Sequence, residues 1–233
     1  MLILAFETTA KAGSVALLED GKLLAESYQN TGLTHSQTLM VMASDMLKAA
    51  GKTVAELTAV AVAEGPGSFT GVRIGVAAAK GLAWGGEIPC YGVSTLEAMA
   101  RTLGAYQGWV CPVMDARRSQ VYNALFYVNQ GEIERKTPDR AITLSDLEGE
   151  LKEKEGPIFL VGDGSVLAHK TLNIPNLVLP PEHRMHQRAV GVALTAEEAL
   201  LAGSPGDGAA LPPNYLRLSQ AERERIERQQ KEK

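Results

Sequence analysis

The chain has 233 residues, 45% of them apolar and 21% charged, with a formal net charge of −4. This is the profile of a soluble globule with material for one domain or two small lobes, and no apolar run approaches the roughly 20 residues that span a bilayer. The acidic balance argues against unaided nucleic-acid binding, because phosphate neutralisation supplies most of that affinity.

The opening stretch MLILAFETT carries no basic n-region and turns polar at Glu7, unlike a secretion signal. Residues 2–6 and 14–18 read as short strands around the polar turn Glu7–Gly13. Asp20-Gly21 is a hairpin signal, with Lys22–Tyr28 returning. This β-β-β opening is not a βαβ unit. Thr34 to Ala50 is predicted as a helix, with Thr34 and Gln37 matching a capping box and Gly51 stopping it. It carries two apolar stripes, Met40, Ala43, Leu47 and Ala50 on one, and Leu39, Met42 and Met46 on the other. One stripe suits the chain's own sheet; the second is assigned to a partner surface.

A buried strand, 58–63, leads into EGPGSFTGVRIG (64–75) and a helix over Gly71–Gly85. Gly71, Gly75, Ala79 and Ala83 recur every fourth residue, so one face admits the backbone of a neighbour, expected from a partner or second copy, with packing inside the lobe as the alternative. A short strand at 90–93 precedes the helix Ser94–Leu103, whose Ser94 and Glu97 again match a capping box. Val110–Met114, Gln120–Val128 and Glu132–Lys136 reopen the strand pattern, a weak internal repeat. A charged helix (144–155), strands at 158–162 and 177–179, and an Ala/Leu helix (188–202) follow. The linker 203–213 and a charged tail close the chain, the tail read as a solvated helix or frayed end. Cys90 and Cys111 lack CxxC spacing and suit burial in a reduced, cytoplasmic setting.

Two turns offer groups to an anion. Thr8 and Thr9 sit at a β-turn-β tip, and Gly67 and Ser68 precede a helix N-terminus with free N–H groups. On the residues alone structural packing is the favoured reading of both patterns over anion binding, and neither is a Walker A loop. His183 and His186 stand three apart in a proline-flanked segment without a third ligand, and a solvated loop is favoured there. No G-x-S-x-G elbow exists for Ser-His-Asp chemistry.

The stretches EGPGSFTGVRIG (64–75), AAAKGLA (77–83) and GVSTLEA (92–98) resemble the TsaB (YeaZ) family. FETT with SVAL, HSQ (35–37), DAR (115–117) with Val121-Tyr122, and PNYLR (213–217) extend the resemblance, which is good over 1–128 and thin beyond. It implies an α/β, actin/Hsp70/sugar-kinase-like (ribonuclease H-like) fold of two lobes with a duplicated β-β-β-α-β-α core. The expected division is 1–105, a smaller degenerate lobe at 106–217 whose helix 188–202 packs back on the first, and a tail at 218–233.

The same resemblance implies a non-catalytic subunit in threonylcarbamoyl-adenosine modification of tRNA. It would pair with a TsaD-type catalytic subunit, admit a TsaE-type ATPase, form a homodimer alone, and meet tRNA only through the complex. The helices 34–50 and 71–85 would form the pairing surface through Leu39, Met42, Met46, Gly71, Gly75 and Ala79. In TsaD-type enzymes a His-x-x-x-His pair binds a metal; here Thr95 and Met99 occupy those positions, which implies no metal site. The glycine-rich second phosphate loop is replaced by DARRS (115–119), and GDG (162–164) is a poor adenosine loop. No catalytic residue and no cofactor of its own are therefore expected, with Thr8, Thr9, Gly67 and Ser68 a vestigial nucleotide site and ATP or ADP placed at or near the partner interface. The rival reading is a small ATP-dependent kinase or peptidase-like enzyme of the same fold.

Overall fold

The two halves of the chain build one arrangement of strands and helices twice. The computed structural model describes residues 1–117 and 119–217; the tail 218–233 and Arg118 lie outside the described residues. In the first half, β1 (Leu2–Glu7), β2 (Gly13–Glu19) and β3 (Lys22–Gln29) form an antiparallel meander. Asp20 and Gly21 both take positive φ, the geometry that a two-residue type I′ hairpin requires. Then follow α1 (His35–Ala49), β4 (Ala59–Gly65), α2 (Phe69–Gly85), β5 (Cys90–Ser94) and α3 (Thr95–Thr102). The sheet order is β3-β2-β1-β4-β5.

The second half runs β6 (Gly108–Asp115), β7 (Gln120–Asn123), β8 (Phe126–Asn129), β9 (Glu132–Arg135), β10 (Arg140–Thr143), α4 (Leu144–Lys152), β11 (Ile158–Val161), α5 (Ser165–Thr171), β12 (Leu177–Val178) and α6 (Ala189–Leu201). Its sheet order β10-β7-β6-β11-β12 repeats the first, position for position, with the β8–β9 hairpin inserted. This is the two-lobed α/β fold implied by the sequence.

One strand differs from expectation. The stretch 120–128 is two strands, because the buried Asn123 side chain donates to the carbonyls of Pro112 and Ala124 and bends the chain there. As a result β7 pairs with the end of β6 and β8 with its start.

Strand alternation gives each sheet two apolar faces. Leu4 and Phe6 of β1 meet α1 and α2, whereas Ile3 and Ala5 meet Ala189, Val192, Ala193 and Ala196 of α6. Small residues (Ala5, Ala16, Ala61, Ala63) on that second face let α6 lie close to the sheet. In the second half, α4 and α5 cover one face. The other face is covered by Leu96, Met99 and Ala100 of α3, a helix from the first half, and by Leu103 just after it. The last helix of each half thus covers the sheet of the other. They cross so tightly that a side chain at Gly191 would collide with the carbonyl of Ala98.

Packing corrects the proposed partner residues. Leu39, Met42 and Met46 are buried in the core of the first lobe beside Ala43 and Leu47. At 3.6 residues per turn, positions 39, 42, 43, 46 and 47 form one broad inward stripe, so the stripe assigned to a partner shares its face with Ala43 and Leu47 of the other, and Met40 lies outside it. Gly71, Gly75 and Ala79 are likewise internal. The backbone they admit is that of the Thr8 turn: a side chain at Gly71 would collide with the Thr8 carbonyl, and one at Gly75 with the Thr8 hydroxyl. The capping box at α1 is also absent, since the Thr34 side chain makes no cap bond. Ser94 does cap α3, accepting from the Glu97 amide at 3.2 Å.

Candidate functional site

In open α/β sheets, ligands bind beyond the carboxyl ends of the strands. Here β1, β4, β6 and β11 end at Glu7, Gly65, Asp115 and Val161, and the turns that follow bring an acidic group to the lobe junction. The turn after β1 is satisfied from within. Glu7 Oε1 accepts from the Thr9 amide and the Thr9 hydroxyl, each at 2.6 Å. Thr8 donates its hydroxyl to the Gly71 carbonyl at 2.8 Å. The Ser68 amide donates to the Thr9 carbonyl at 2.6 Å, and Ser68 Oγ accepts from the Gly71 amide at 3.3 Å as the cap of α2. A side chain at Gly67 would strike the Thr9 carbonyl.

The four residues of the expected nucleotide site, Thr8, Thr9, Gly67 and Ser68, are therefore brought together, but as packing. Both threonine hydroxyls and the Ser68 amide are spent on protein partners, and Thr8 and Thr9 are buried. The close approach that glycine permits at Gly67 and Gly71 is taken up by the chain's own backbone, at the carbonyls of Thr9 and Thr8.

The junction also holds buried acids. Glu7 is fully buried, and its carboxyl is pushed up to about 7 by loss of solvent and, more weakly, by Asp163, against the lowering pull of the Thr9 bonds. Its Oε2 has no partner among the described residues. Asp163 is also raised by burial, although Gln187 Nε2 donates to it at 3.0 Å. Glu64 is pushed up to about 7, first by burial, then by Asp207 and Asp139. Asp139 is held by Arg135 and by the Ser94 hydroxyl, each at 2.6 Å. Of these acids, sequence reasoning noted Glu7 and Glu64 only as loop residues. The proximity of Asp163 to Glu7 and of Asp139 to Glu64 joins distant parts of the chain and leaves no local signal.

Thr95 and Met99 are buried on α3, with the Met99 sulfur against Gly162. Among the described residues, no group of three or more His, Cys, Asp or Glu is placed to hold a metal ion. His35 packs its Nε2 2.8 Å from the Ala10 carbonyl. His183 lies in a short 3-10 turn, and His186 Nε2 lies 3.8 Å from Glu182. Cys90 and Cys111 are free, buried thiols, raised to about 11 and about 12 by burial. Native protein is accordingly expected to resist an aromatic disulfide reagent at neutral pH and to release both thiols only on denaturation.

Apolar side chains are exposed at another place, the outer side of α1 and α2. Met40 is 45% exposed, Val41 58% and Trp84 85%. A groove of about 230 Å³ runs between the two helices, floored by Met40, Ala43, Leu47 and Leu82. No helix among the described residues is long and apolar enough to cross a membrane.

The family model for TsaD, tRNA N6-adenosine threonylcarbamoyltransferase, matches residues 28–201. The tRNA threonylcarbamoyladenosine biosynthesis protein TsaB of Bacillus subtilis (strain 168) is 35% identical, over 98% of this chain and all of its own length. The chain belongs to the TsaB (YeaZ) family. TsaB of Escherichia coli (strain K12) is 36% identical over 70% of this chain and 72% of its own. The solved YeaZ from Pseudomonas aeruginosa superposes with a TM-score of 0.78 at 27% identity, covering 92% of this chain and 99% of that one. Relatives of the family carry the name of a biosynthesis protein.

Proposed function

We propose that this chain is a non-catalytic subunit of the machinery that places threonylcarbamoyl on the adenosine beside certain tRNA anticodons. It acts by pairing with a TsaD-type catalytic subunit, which a TsaE-type ATPase joins, and it meets tRNA only through that complex. The observation that carries this reading is the packing of the Thr8–Thr9 turn into the 64–71 loop, which engages on protein partners the hydroxyls and the amide that the two turns could offer an anion. Thr95 and Met99 in place of two imidazoles support it, because neither side chain replaces a nitrogen ligand. So does the net charge of −4, which disfavours a phosphate backbone.

The pairing surface in this proposal is the outer face of α1 and α2, with Met40, Val41, Ala77, Gly81 and Trp84, in place of the inner stripe assigned from sequence. Because the TsaD family model matches this chain through both helices, a TsaD-type subunit is built with the same pair, and two such faces fit as a four-helix packing. A second copy of the chain offers the same face and makes the homodimer the resting form.

Trp84 is the expected anchor, a large aromatic with almost no cover in the free chain. Truncation of such an anchor costs about 2–4 kcal/mol, or roughly 30- to 1000-fold in affinity. Trp84→Ala should therefore lose the TsaD-type partner in co-purification and fail to restore modified tRNA in cells lacking the native protein, while keeping its melting temperature. Full retention of the partner by this variant would reject the surface. Calorimetric titration of the isolated chain with Mg²⁺-ATP should give no saturable heat; micromolar binding with turnover would reject the non-catalytic reading.

A further inference from the structure

After α6 the described chain runs along the first lobe before it reaches back to the second. The Ser204 carbonyl accepts from Tyr91 Oη at 2.7 Å, and the Asp207 amide donates to the Cys90 carbonyl at 2.8 Å. Asp207 Oδ2 accepts from the Gly92 amide at 2.8 Å, so residues 204–207 cap the open edge of β5. Leu211 is buried in the core of the first lobe, and its carbonyl accepts from Lys80 Nζ at 3.2 Å. The Asn214 amide donates to the Glu64 carbonyl at 2.7 Å. Tyr215 then stacks on Phe69, with ring centroids 4.5 Å apart. The Arg73 guanidinium lies over the Phe69 ring at 3.9 Å, and its Nε donates to Tyr215 Oη at 2.8 Å. Two residues later Arg217 donates to the carbonyls of Ala116 and Arg117, at the tip of β6 in the other lobe.

We propose that residues 204–217 are a strap that holds the two lobes at one angle, with the Phe69–Tyr215–Arg73 stack as a releasable catch and Arg217 as its grip on the second lobe. The inference goes beyond the function proposed above and does not depend on it. The strap touches three places that the chain must keep in register: the edge of β5, the loop that packs against Thr8–Thr9, and the tip of β6. Leu211 anchors its middle, but beyond Leu211 it is held by hydrogen bonds and one stack whose Tyr215 is 38% exposed. Segments with few buried apolar contacts and solvent-reachable hydrogen bonds open at low free energy, well below global unfolding. The end of the strap can therefore leave while the lobes stay folded. Arg73, released with it, lies on the outer side of α2.

The test is a pair of dyes, on Lys22→Cys in β3 and Lys152→Cys at the end of α4, since both native thiols are buried. Single-molecule energy transfer should give one narrow interlobe distance in the parent chain. Tyr215→Ala and Arg217→Ala should each broaden and shift it, and should speed amide exchange at 64–71 and 115–117 by about tenfold or more, with β1 and β2 unchanged. Tyr215→Phe keeps the stack and should restore most of the parent distribution. An unchanged distance in both alanine variants would overturn the proposal, as would exchange that rises equally in β1 and β2, which would mark the segment as ordinary packing. If Tyr215→Ala does not fold, Arg217→Ala decides alone, because that side chain lies outside the apolar core.

Discussion

Gly71→Leu is expected to destabilise the folded monomer by about 3 kcal/mol or more, lowering the melting temperature of a chain this size by roughly 6–12 °C. The side chain would enter space held by the Thr8 carbonyl, and a backbone atom cannot move aside as a flexible side chain can. Relief would require the β1–β2 turn to lift, breaking the Thr8–Gly71 and Ser68–Thr9 hydrogen bonds and exposing Glu7. Gly75→Leu meets the Thr8 hydroxyl and the Val62 side chain, and should cost less because both can shift. The informative control is Gly81→Leu on the same helix, where nothing lies within 4 Å of an added carbon. Leucine is the better helix former by somewhat under about 1 kcal/mol, so this variant should be as stable as the parent or more so. Calorimetric melting of the three variants separates an inner from an outer glycine face. A Gly71→Leu protein that melts with the parent but no longer dimerises would return this face to the interface.

Glu7→Gln should remove most of a pH dependence of stability. The folded carboxyl titrates near 7 against an ordinary value of 4.5, so the folded state holds its proton more tightly than the unfolded state. The stabilising contribution of that proton is complete below about 4.5 and is lost as pH rises through about 7. Fully expressed, such a difference is on the order of 3 kcal/mol, and partial opening of the turn would reduce it. Glutamine suits the site: its oxygen can accept from Thr9 as Oε1 does, and its amide takes the place of the unpartnered Oε2. Urea unfolding should then place the variant level with the parent at pH 5 and more stable by about 1–3 kcal/mol at pH 8. Equal pH slopes for the two proteins would show that Glu7 is ionised in the folded state. Glu64 also titrates near 7 but is only partly buried, and its contribution to the slope should be smaller.

Features set by neighbouring residues were legible in the sequence. The Asp20-Gly21 hairpin, the Ser94 cap of α3, the β-β-β opening and the recurrence of that pattern each rest on contacts within a few residues, and each stands in the structure. The recurrence of small residues at 71, 75 and 79 announced a close neighbour, and at Gly71 that neighbour is the Thr8 backbone. What periodicity leaves open is the identity of whatever lies opposite a face. Leu39, Met42 and Met46 had to share a side of α1, but only the packed sheet decided that this side points inward. The same holds for Thr8 and Thr9, whose hydroxyls suit a phosphate until the α2 loop is folded onto them. The exchange of α3 and α6, the charge state of Glu7 and the reach of the strap from β5 to the tip of β6 arise between segments that are not neighbours in the chain. Composition, caps and turns were thus determined by the chain locally; burial, pairing of charges and the choice of inner and outer face were decided by tertiary structure, because each is a property of two surfaces and the sequence displays them one at a time.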